Sequence, residues 1–238
     1  MDRVLIFLPT LNEFKSAASL ITEIDNLTKV NFLIVDDGSR DGTHEELLGL
    51  KFENLEIIQR GKRLGIGSAH SLAISYAKNR SYDYLLTMDA DGTHRVNDVL
   101  RILETRETAD LVVGSRFAPG AEIIGWPLVR ILLTRSAHFV TRLGLGLDYD
   151  CSSGLRCYKM VAFESELISK FDATDYDFFF KSIHQIARRG KLILDFPVKL
   201  EARVLGNSKM TFFQGIRSIS SLILEIIKFR SNDLVRRF

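Results

Sequence analysis

The chain has few cysteines, few prolines and no flexible low-complexity tract. Its 238 residues include two cysteines, four prolines and one tryptophan. Cys151 and Cys157 are separated by five residues, a spacing that fits neither a zinc site nor a redox pair, so we expect both to be reduced packing residues. Because proline is scarce and no Ser/Gly-rich linker occurs, the sequence predicts a single domain over residues 1–238.

No segment is apolar enough to predict a membrane span. The longest stretch without Asp, Glu, Lys or Arg runs over 14 residues, from Leu64 to Ala77, whereas a spanning helix needs about 18. The N-terminus also lacks the pattern of a secretory signal peptide, so we expect a cytosolic location. Hydrophobic residues make up 46% and charged residues 26% of the chain, and these ordinary values exclude disordered and fibrous classes.

The net charge of +2 is distributed unevenly along the chain. Residues 1–119 contain 14 Lys/Arg and 18 Asp/Glu, whereas residues 120–238 contain 18 and 12. The two halves therefore carry net charges of −4 and +6. An acidic first half suits a metal ion or a sugar, and a basic second half suits phosphate groups.

Short apolar runs alternate with helical patterns in the first half. Apolar residues recur with a helical period from Phe14 to Leu27. This βαβ alternation predicts an α/β fold with a doubly wound, mostly parallel sheet, helices on both faces and ligands at the carboxyl ends of the strands. The predicted strands are 4–8, 32–35, 55–58, 84–88 and 111–113, and the weaker helices are 69–77 and 99–103. In the second half we expect helices at 161–171, 178–189 and 216–229 and one or two strands within 192–204.

Polar residues follow the first two predicted strands. Pro9-Thr10-Leu11-Asn12-Glu13 follows the first, and Asp36-Asp37-Gly38-Ser39-Arg40-Asp41-Gly42-Thr43 follows the second. One acidic side chain can cap the next helix, which leaves a second carboxylate able to accept hydrogen bonds from a nucleobase or ribose. Gly61-Lys62-Arg63-Leu64-Gly65-Ile66-Gly67 follows the third strand as either a flexible turn or an approach to a diphosphate at a helix N-terminus.

The fourth predicted strand ends in Met88-Asp89-Ala90-Asp91-Gly92. Such a pair of acids is either an ordinary turn or a set of hard oxygen ligands for Mg²⁺ or Mn²⁺. Its position at the carboxyl end of a strand, beside the Asp36-Asp37 loop, favours the metal site.

The segment from Ile123 to Leu147 contains three arginines and no acid. As a helix it places Arg135 and Arg142 on one face and apolar residues on the other, which is typical of a helix lying on an anionic membrane. An ordinary helix packed on the core is the alternative. The final helix either docks on the membrane or on a small membrane subunit, or completes the core.

Five motifs follow one another along the chain. They are Pro9–Glu13, Asp36–Thr43, Asp89-Ala90-Asp91, Gly114-Ser115-Arg116 and Val204-Leu205-Gly206-Asn207-Ser208-Lys209. In this order and spacing they resemble the motifs of family 2 glycosyltransferases with the GT-A fold, and in particular the polyprenyl-phosphate (dolichol-phosphate) mannosyltransferases. The resemblance spans nearly the whole chain and implies a single GT-A domain with a nucleotide-sugar half at 1–119 and an acceptor and membrane-facing half at 120–238.

The resemblance also implies a role for individual residues. It implies that the donor nucleotide is bound by Pro9, Thr10, Asn12, Glu13, Asp37 and Gly67. It implies that the divalent metal, Mg²⁺ or Mn²⁺, is bound by Asp89 and Asp91, which together with Arg116 are the catalytic residues. Phosphate and acceptor binding are assigned to Arg116, Arg130, Ser136, Arg203 and Lys209, and the loop Asp150-Cys151-Ser152-Ser153-Gly154-Leu155-Arg156 lies near the acceptor in relatives. Many relatives have a bulky residue, Ser or Gln, and then His-Pro after the second acid, whereas this chain has Gly92-Thr93-His94-Arg95. This departure leaves a third protein metal ligand unassigned, with Thr93 as a candidate.

The resemblance thus implies an inverting transfer of a hexose, mannose from GDP-mannose, to a polyprenyl monophosphate by a peripheral enzyme on the cytosolic membrane face. One alternative keeps the family but uses a UDP-sugar (glucose or N-acetylhexosamine), a saccharide acceptor, or both. Nucleotidyl transfer would require a glycine-rich loop after the first strand, which is missing here. A non-catalytic membrane-docking scaffold is the remaining alternative, and nucleic-acid binding is not expected, because the basic residues match no known reader motif.

Overall fold

A computed structural model describes residues 2–164, 175–202 and 212–235. These residues form nine strands and seven α-helices. The strands are β1 (Val4–Thr10), β2 (Asn31–Asp36), β3 (Leu55–Gln59), β4 (Tyr84–Thr87), β5 (Leu111–Ser115), β6 (Glu122–Ile124), β7 (Arg156–Lys159), β8 (Ile193–Pro197) and β9 (Lys199–Glu201). The helices are α1 (Phe14–Leu27), α2 (Thr43–Leu48), α3 (Ile66–Asn79), α4 (Val96–Glu104), α5 (Leu128–Leu145), α6 (Asp177–Arg188) and α7 (Phe212–Val235).

Seven of the strands form one sheet, in the order β3-β2-β1-β4-β7-β5-β8. Every neighbouring pair is parallel except for the two pairs that β7 makes with β4 and β5. The expected mostly parallel α/β sheet is therefore confirmed. Strands from both halves of the chain share this sheet, and β6 and β9 pair separately as a small parallel ribbon.

The sheet is buried on both faces because its strands are almost continuously apolar. Along β1, Leu5 and Phe7 pack into one hydrophobic cluster with α3 and α6, while Ile6 and Leu8 pack into the other with α1 and α4. Each of these four side chains is at most 1% exposed. Complete burial of one such side chain contributes roughly 1.5–3 kcal/mol, so the two layers account for the stability of the central strands.

In the described residues, two segments differ from the helices that the sequence predicts. The segment 123–147 is not one helix, because residues 122–124 pair with β9 and Pro127 precedes the helix that begins at Leu128. The segment 161–171 does not begin as an α-helix either. Met160–Ala162 form a single 3₁₀ turn, and the buried Phe163 has extended backbone that lets its ring pack edge-on against Tyr158. The rest of that segment, after residue 164, lies outside the described residues.

Both cysteines are packing residues, as the sequence predicts. Cys151 and Cys157 are free and buried, and burial raises the pKa of the Cys157 thiol to about 12. In the part of the chain that the structure describes, none of the helices is sufficiently long and apolar to cross a bilayer.

Candidate active site

A cleft opens at the edge of the sheet where β1, β2 and β4 end. Its walls come from the loops after these strands, the start of α3, the loop before β7 and the beginning of α6. Ligands of open α/β sheets bind at this edge. The cleft is lined by Pro9, Thr10, Leu11, Glu13, Asp37, Arg63, Ile66, Ala69, Asp89, Ala90, Asp91, Ser152, Gly154, Tyr176 and Phe179. Six residues assigned from the sequence are among them, namely Pro9, Thr10, Glu13, Asp37, Asp89 and Asp91.

The two acids that follow β2 have different partners. Asp36 accepts hydrogen bonds from the backbone N–H and the hydroxyl of Ser39 and from Thr10 Oγ1, so it shapes its own turn. Asp37 accepts hydrogen bonds from the backbone N–H groups of Leu64 at 2.7 Å and Gly65 at 3.0 Å, and it forms an ion pair with Arg60. Asp37 therefore connects the loop after β2 to the loop before α3, in addition to lining the cleft.

These two loops are held close together by backbone geometry. Gly38 has a φ of +81°, and a Cβ atom added there would lie 2.8 Å from the backbone of Lys62. Asn12 has a φ of +55°. Its backbone N–H donates to Ser39 Oγ, and its side-chain Oδ1 accepts from the backbone N–H of Arg40. Asn12 thus joins the loop after β1 to the loop after β2 and is not among the residues that line the cleft.

Glu13 and Gly67 lie at the ends of the helices that border the cleft. Glu13 precedes α1, and its carbonyl accepts the hydroxyl of Ser16. Gly67 is buried in the first turn of α3, while Arg63 and Ile66 on either side of the helix start line the cleft. The amino end of α3 is therefore adjacent to the cleft, where its unpaired N–H groups favour an anion.

Asp89 and Asp91 extend from the end of β4. Asp91 is 5% exposed, and its Oδ1 accepts hydrogen bonds from the backbone N–H and the hydroxyl of Thr93, at 3.0 and 2.7 Å. Thr93 therefore orients the Asp91 carboxylate directly. His94 Nε2 lies 3.5 Å from Asp89 Oδ2, and a Cβ atom at Gly154 would lie 2.9 Å from Asp89 Oδ1.

Arg116 follows β5 and is held by a buried acid. The Nε and Nη2 atoms of its guanidinium donate to Asp150 at 2.7 and 2.6 Å, and its backbone N–H donates to the same carboxylate at 3.0 Å. Nη2 also lies 2.5 Å from Ser152 Oγ, which lines the cleft. Burial alone would raise the pKa of Asp150, but the charge and hydrogen bonds of Arg116 outweigh it and keep that pKa below its ordinary value.

Arg130 and Arg116 both lie close to the Trp126 ring. The guanidinium carbon of Arg130 is 3.5 Å from the centre of the Trp126 ring, and that of Arg116 is 6.0 Å from the same ring. Ser136 is exposed on α5, between apolar residues that face outward. Arg203 and Lys209 lie outside the described residues.

The family model for glycosyl transferase family 2 matches residues 5–180. This chain belongs to glycosyl transferase family 2. The matched range contains the whole cleft, from the end of β1 to the beginning of α6.

Two curated relatives of this family 2 glycosyltransferase are similar over most of their length. Undecaprenyl-phosphate mannosyltransferase of Micrococcus luteus is 32% identical over 213 residues, which cover 88% of this chain and 88% of that protein. Polyprenol monophosphomannose synthase of Mycolicibacterium smegmatis is 31% identical over 216 residues, which cover 88% of this chain and 82% of that protein.

The fold is also found among solved glycosyltransferases. Glucosyl-3-phosphoglycerate synthase from Mycobacterium tuberculosis, crystallised with Mn²⁺, uridine diphosphate and phosphoglyceric acid, superimposes with a TM-score of 0.69 at 20% sequence identity. The match covers 94% of this chain and 78% of that chain. This likeness confirms the GT-A fold that the sequence motifs implied.

The acidic residues of this family 2 glycosyltransferase suit a hard divalent cation. Among the described residues, no group of three or more His, Cys, Asp and Glu side chains is placed to hold a metal. Asp89 and Asp91 are the two carboxylates that line the cleft at the end of β4. Mg²⁺ and Mn²⁺ prefer oxygen donors and usually keep water and ligand phosphates in their coordination sphere. Two carboxylates at the mouth of a cleft therefore fit a cation that a diphosphate helps to bind.

Three buried or partly buried residues near the site were not singled out from the sequence. The sequence assigns Asp150 no role of its own within the loop 150–156, yet its carboxylate holds Arg116. Burial, followed by the charge of Asp150, raises the pKa of Asp195 to about 6, although a hydrogen bond from Ser115 lowers it. Arg156, fully buried, donates to the carbonyls of Ser153 and Phe179 at 2.9 and 2.7 Å. The sequence carried no local signal for any of them beyond the arginine that begins β7.

Proposed function

We propose that this protein transfers mannose from GDP-mannose to the phosphate of a polyprenyl monophosphate, with inversion at the anomeric carbon. The observation that carries the proposal is the position of Arg116. It is hydrogen-bonded to a residue that lines the same cleft as Asp89 and Asp91. Burial lowers the pKa of Arg116, but the charge and hydrogen bond of Asp150, followed by the charge of Asp89, raise that pKa above its ordinary value. Groups suited to a diphosphate and to a second phosphate therefore lie side by side, and the names of both curated relatives describe mannose transfer to polyprenyl phosphate.

The donor would occupy the side of the cleft formed by β1, β2 and α3. The carbonyl and carboxylate oxygens of the loops after β1 and β2 would bind the nucleoside, and Asp37 would keep the loop before α3 in place. Asp89 and Asp91 would hold a Mg²⁺ or Mn²⁺ ion, which when bound supplies positive charge next to the leaving diphosphate. Thr93 fixes the orientation of Asp91 for that task.

The acceptor would approach from the side of Arg116 and Arg130. A phosphate monoester has its second pKa near 6, so it is largely dianionic at neutral pH and can attack the anomeric carbon without a protein base. What it requires is orientation and charge compensation, which fixed guanidinium groups provide. Arg203 and Lys209, which match basic residues of the family motif, are proposed to complete this set.

An exposed apolar surface on α5 and α7 would place the enzyme on the membrane. The two helices pack where Gly144 meets Ile226, so closely that a Cβ atom at Gly144 would clash with the Ile226 side chain. Leu128 is 77% and Leu133 68% exposed on α5. The other exposed apolar residues of this surface are Val129, Leu132, Phe139, Val140 and Leu143 on α5 and Ile219, Ile223, Leu224 and Ile227 on α7.

Charge supports a lipid partner for this surface. By helical geometry, Arg135 and Arg142 flank the apolar stripe of α5, where they would face anionic headgroups. A monotopic helix pair would keep the phosphate of a membrane-embedded polyprenol within reach of the arginines. We therefore propose peripheral attachment to the cytosolic face of a membrane, with a small membrane subunit as the alternative partner for the same surface.

The proposal is tested by direct assay of the purified protein. GDP-mannose, UDP-glucose and UDP-N-acetylglucosamine are each offered with polyprenyl phosphate in vesicles and Mg²⁺ or Mn²⁺, and the lipid product is identified by mass spectrometry. We expect mannosyl-phosphoryl-polyprenol from GDP-mannose alone. Transfer only from a UDP-sugar, or only to a saccharide acceptor, would overturn the proposed donor or acceptor.

A variant separates catalysis from folding. Asp91→Ala should reduce transfer by at least about a thousandfold while the protein remains folded, because the diphosphate loses its cation. The matched control, Glu104→Ala, removes an exposed carboxylate at the end of α4 and should retain activity. Wild-type activity in Asp91→Ala would refute the metal site.

A further inference from the structure

The loop before β7 lies between the donor and acceptor sides of the cleft. Because β7 runs antiparallel to β4 and β5, its first residue is at the edge where those two strands end. Residues 150–155 are therefore inserted between Asp89, after β4, and Arg116, after β5. Gly154 of this loop contacts Asp89, and Asp150 and Ser152 contact Arg116.

Asp150 determines which part of the Arg116 guanidinium can reach a ligand. The bonds to Asp150 occupy Nε and one hydrogen of Nη2, and Ser152 Oγ lies within hydrogen-bond distance of Nη2. Nη1 has no hydrogen-bond partner among the described residues. The donor that remains for an anion is therefore Nη1, at the end of the side chain.

Asp150 itself cannot serve as a ligand group. It is 0% exposed, and its carboxylate accepts five hydrogen-bond contacts, three from Arg116 and two from Ser152. Its backbone N–H is in turn oriented by Asp195, whose Oδ1 lies 3.4 Å away. The acid therefore affects the cleft only through the residues that it orients.

We propose that Asp150 is a positioning residue that locks Arg116 with Nη1 directed at the acceptor phosphate, a role that rests on the proposed function. An arginine free to sample its rotamers loses conformational entropy when it binds, and fixing it beforehand removes that cost. The guanidinium is then already in place when the acceptor enters, and the donor side of the cleft does not depend on it.

The first test compares Asp150→Asn with the matched control Asp148→Asn. Asp148 lies two residues before Asp150 but is exposed, and its Oδ1 forms an ion pair with Arg142 Nε at 3.2 Å. We expect Asp150→Asn to raise the KM for polyprenyl phosphate about tenfold. The KM for GDP-mannose and the Mn²⁺-dependent thermal shift with GDP should stay within twofold of wild type, and Asp148→Asn should change neither KM.

A double-mutant cycle with Arg116→Ala tests whether Asp150 acts through Arg116. On the Arg116→Ala background, Asp150→Asn should cause no further rise in the acceptor KM, because the group that it positions is gone. It should instead restore part of the melting temperature that Arg116→Ala loses, since the double variant leaves no unpaired buried carboxylate. Additive effects on the acceptor KM, or equal increases in the KM of donor and acceptor, would overturn the proposal.

Asp150→Glu keeps the test valid if Asp150→Asn does not fold. The glutamate retains the charge but shifts the guanidinium by one methylene, so a positioning role predicts a higher acceptor KM, whereas charge balance alone predicts a wild-type value. Wild-type kinetics in a folded Asp150→Glu protein would overturn the proposal. Failure of the wild-type protein to use polyprenyl phosphate at all would instead refute the proposed function, and the two outcomes are distinguishable in the same assay.

Discussion

Gly154 lies directly against the carboxylate of Asp89. A Cβ atom at position 154 would be 2.9 Å from Asp89 Oδ1, which is closer than real Cβ atoms approach an oxygen. The carbonyl of Gly154 accepts a hydrogen bond from Thr87 Oγ1 at 2.7 Å, so the loop has a fixed position beside β4. The orientation of Asp89 thus depends on the absence of a side chain at residue 154.

Replacing this glycine should impair the proposed metal site without unfolding the protein. Gly154→Ala is expected to displace either the Asp89 carboxylate or the loop, and a displacement of this kind lowers kcat/KM about tenfold to a hundredfold. The measurement is the Mn²⁺ concentration needed for half-maximal transfer, together with the melting temperature. Gly49→Ala, at a helical position after α2, is the control and should retain activity. An unchanged Mn²⁺ requirement in Gly154→Ala would contradict this account.

Asp195 should make the protein less stable as the pH rises. Its pKa is raised from 3.8 to about 6 in the folded state, so between about pH 4 and 6 the folded state keeps a proton that the unfolded state has released. The free energy of unfolding therefore falls as pH increases through this window. Asp195→Asn removes the free-energy cost of ionising this carboxyl group in the folded state. The variant protein should therefore unfold at a higher temperature than wild type above about pH 6.5, and at the same temperature below about pH 4.

Thermal unfolding of both proteins across this pH range checks the assignment. The asparagine can still accept the bonds from Ser115 and from the Asp150 backbone, so the substitution changes mainly the charge. If the melting temperatures of wild type and variant differ by the same amount at every pH, Asp195 does not titrate between about pH 4 and 6.

His70 should destabilise the protein in acid. Burial, aided by the charge of Arg156 and opposed by that of Asp89, lowers its pKa from 6.5 to about 3. Below about pH 6.5 the imidazole binds a proton in the unfolded state but stays neutral in the folded state. The free energy of unfolding therefore falls as the pH decreases below about 6.5. The ring is packed against Phe7, Phe178 and Phe179, with centroid distances of 5.0 to 5.1 Å.

A leucine at this position tests the cost of the buried imidazole. Neither ring nitrogen of His70 has a hydrogen-bond partner within the described part of the chain, and an unpaired buried polar atom costs about 1–3 kcal/mol. His70→Leu should therefore raise the melting temperature at neutral pH and more so near pH 5. A lower melting temperature at every pH would indicate that the imidazole has a partner, such as a buried water.

The apolar surface of α5 and α7 should bind lipid. Replacing both Leu132 and Leu133 by Gln removes two exposed leucines from the surface, and burial of one leucine in an apolar environment is worth about 1.5–3 kcal/mol. We expect at least a tenfold loss of binding to anionic vesicles in a flotation assay. Leu48→Gln, which changes an exposed leucine on α2, is the control and should bind as wild type does. Undiminished flotation of the double variant would favour a protein partner for this surface.

The parallel part of the sheet could be predicted from the sequence because its signals are local. The apolar runs at β1 to β5 and the periodicity of α1 are visible within short windows, and each coincides with an observed element. β7 gave no such signal. Its sequence, Arg156-Cys157-Tyr158-Lys159, is short and charged at both ends, and its insertion between β4 and β5 depends on partners far away in the chain.

In the candidate site too, local features could be predicted from the sequence and contacts between distant residues could not. The acids of Asp89-Ala90-Asp91 are neighbours in sequence, so their shared position followed from the strand before them. The pairing of Arg116 with Asp150 joins residues 34 positions apart, and no local pattern indicates it. The sequence assigns Asn12 to the nucleotide, and in the structure its backbone N–H and its side-chain Oδ1 connect two loops. No local pattern indicates that contact, because its partners Ser39 and Arg40 lie after the next strand.

The order of strands has a consequence for how the chain is made. β5 pairs with β7 on one side and β8 on the other, and both neighbours are encoded after it. When β5 leaves the ribosome, neither of these partners has yet been synthesised, and both of its backbone edges are open to other chains. A nascent chain stopped before residue 156 would therefore be a natural client for chaperones, and the part of the sheet next to Arg116 is the last to be assembled.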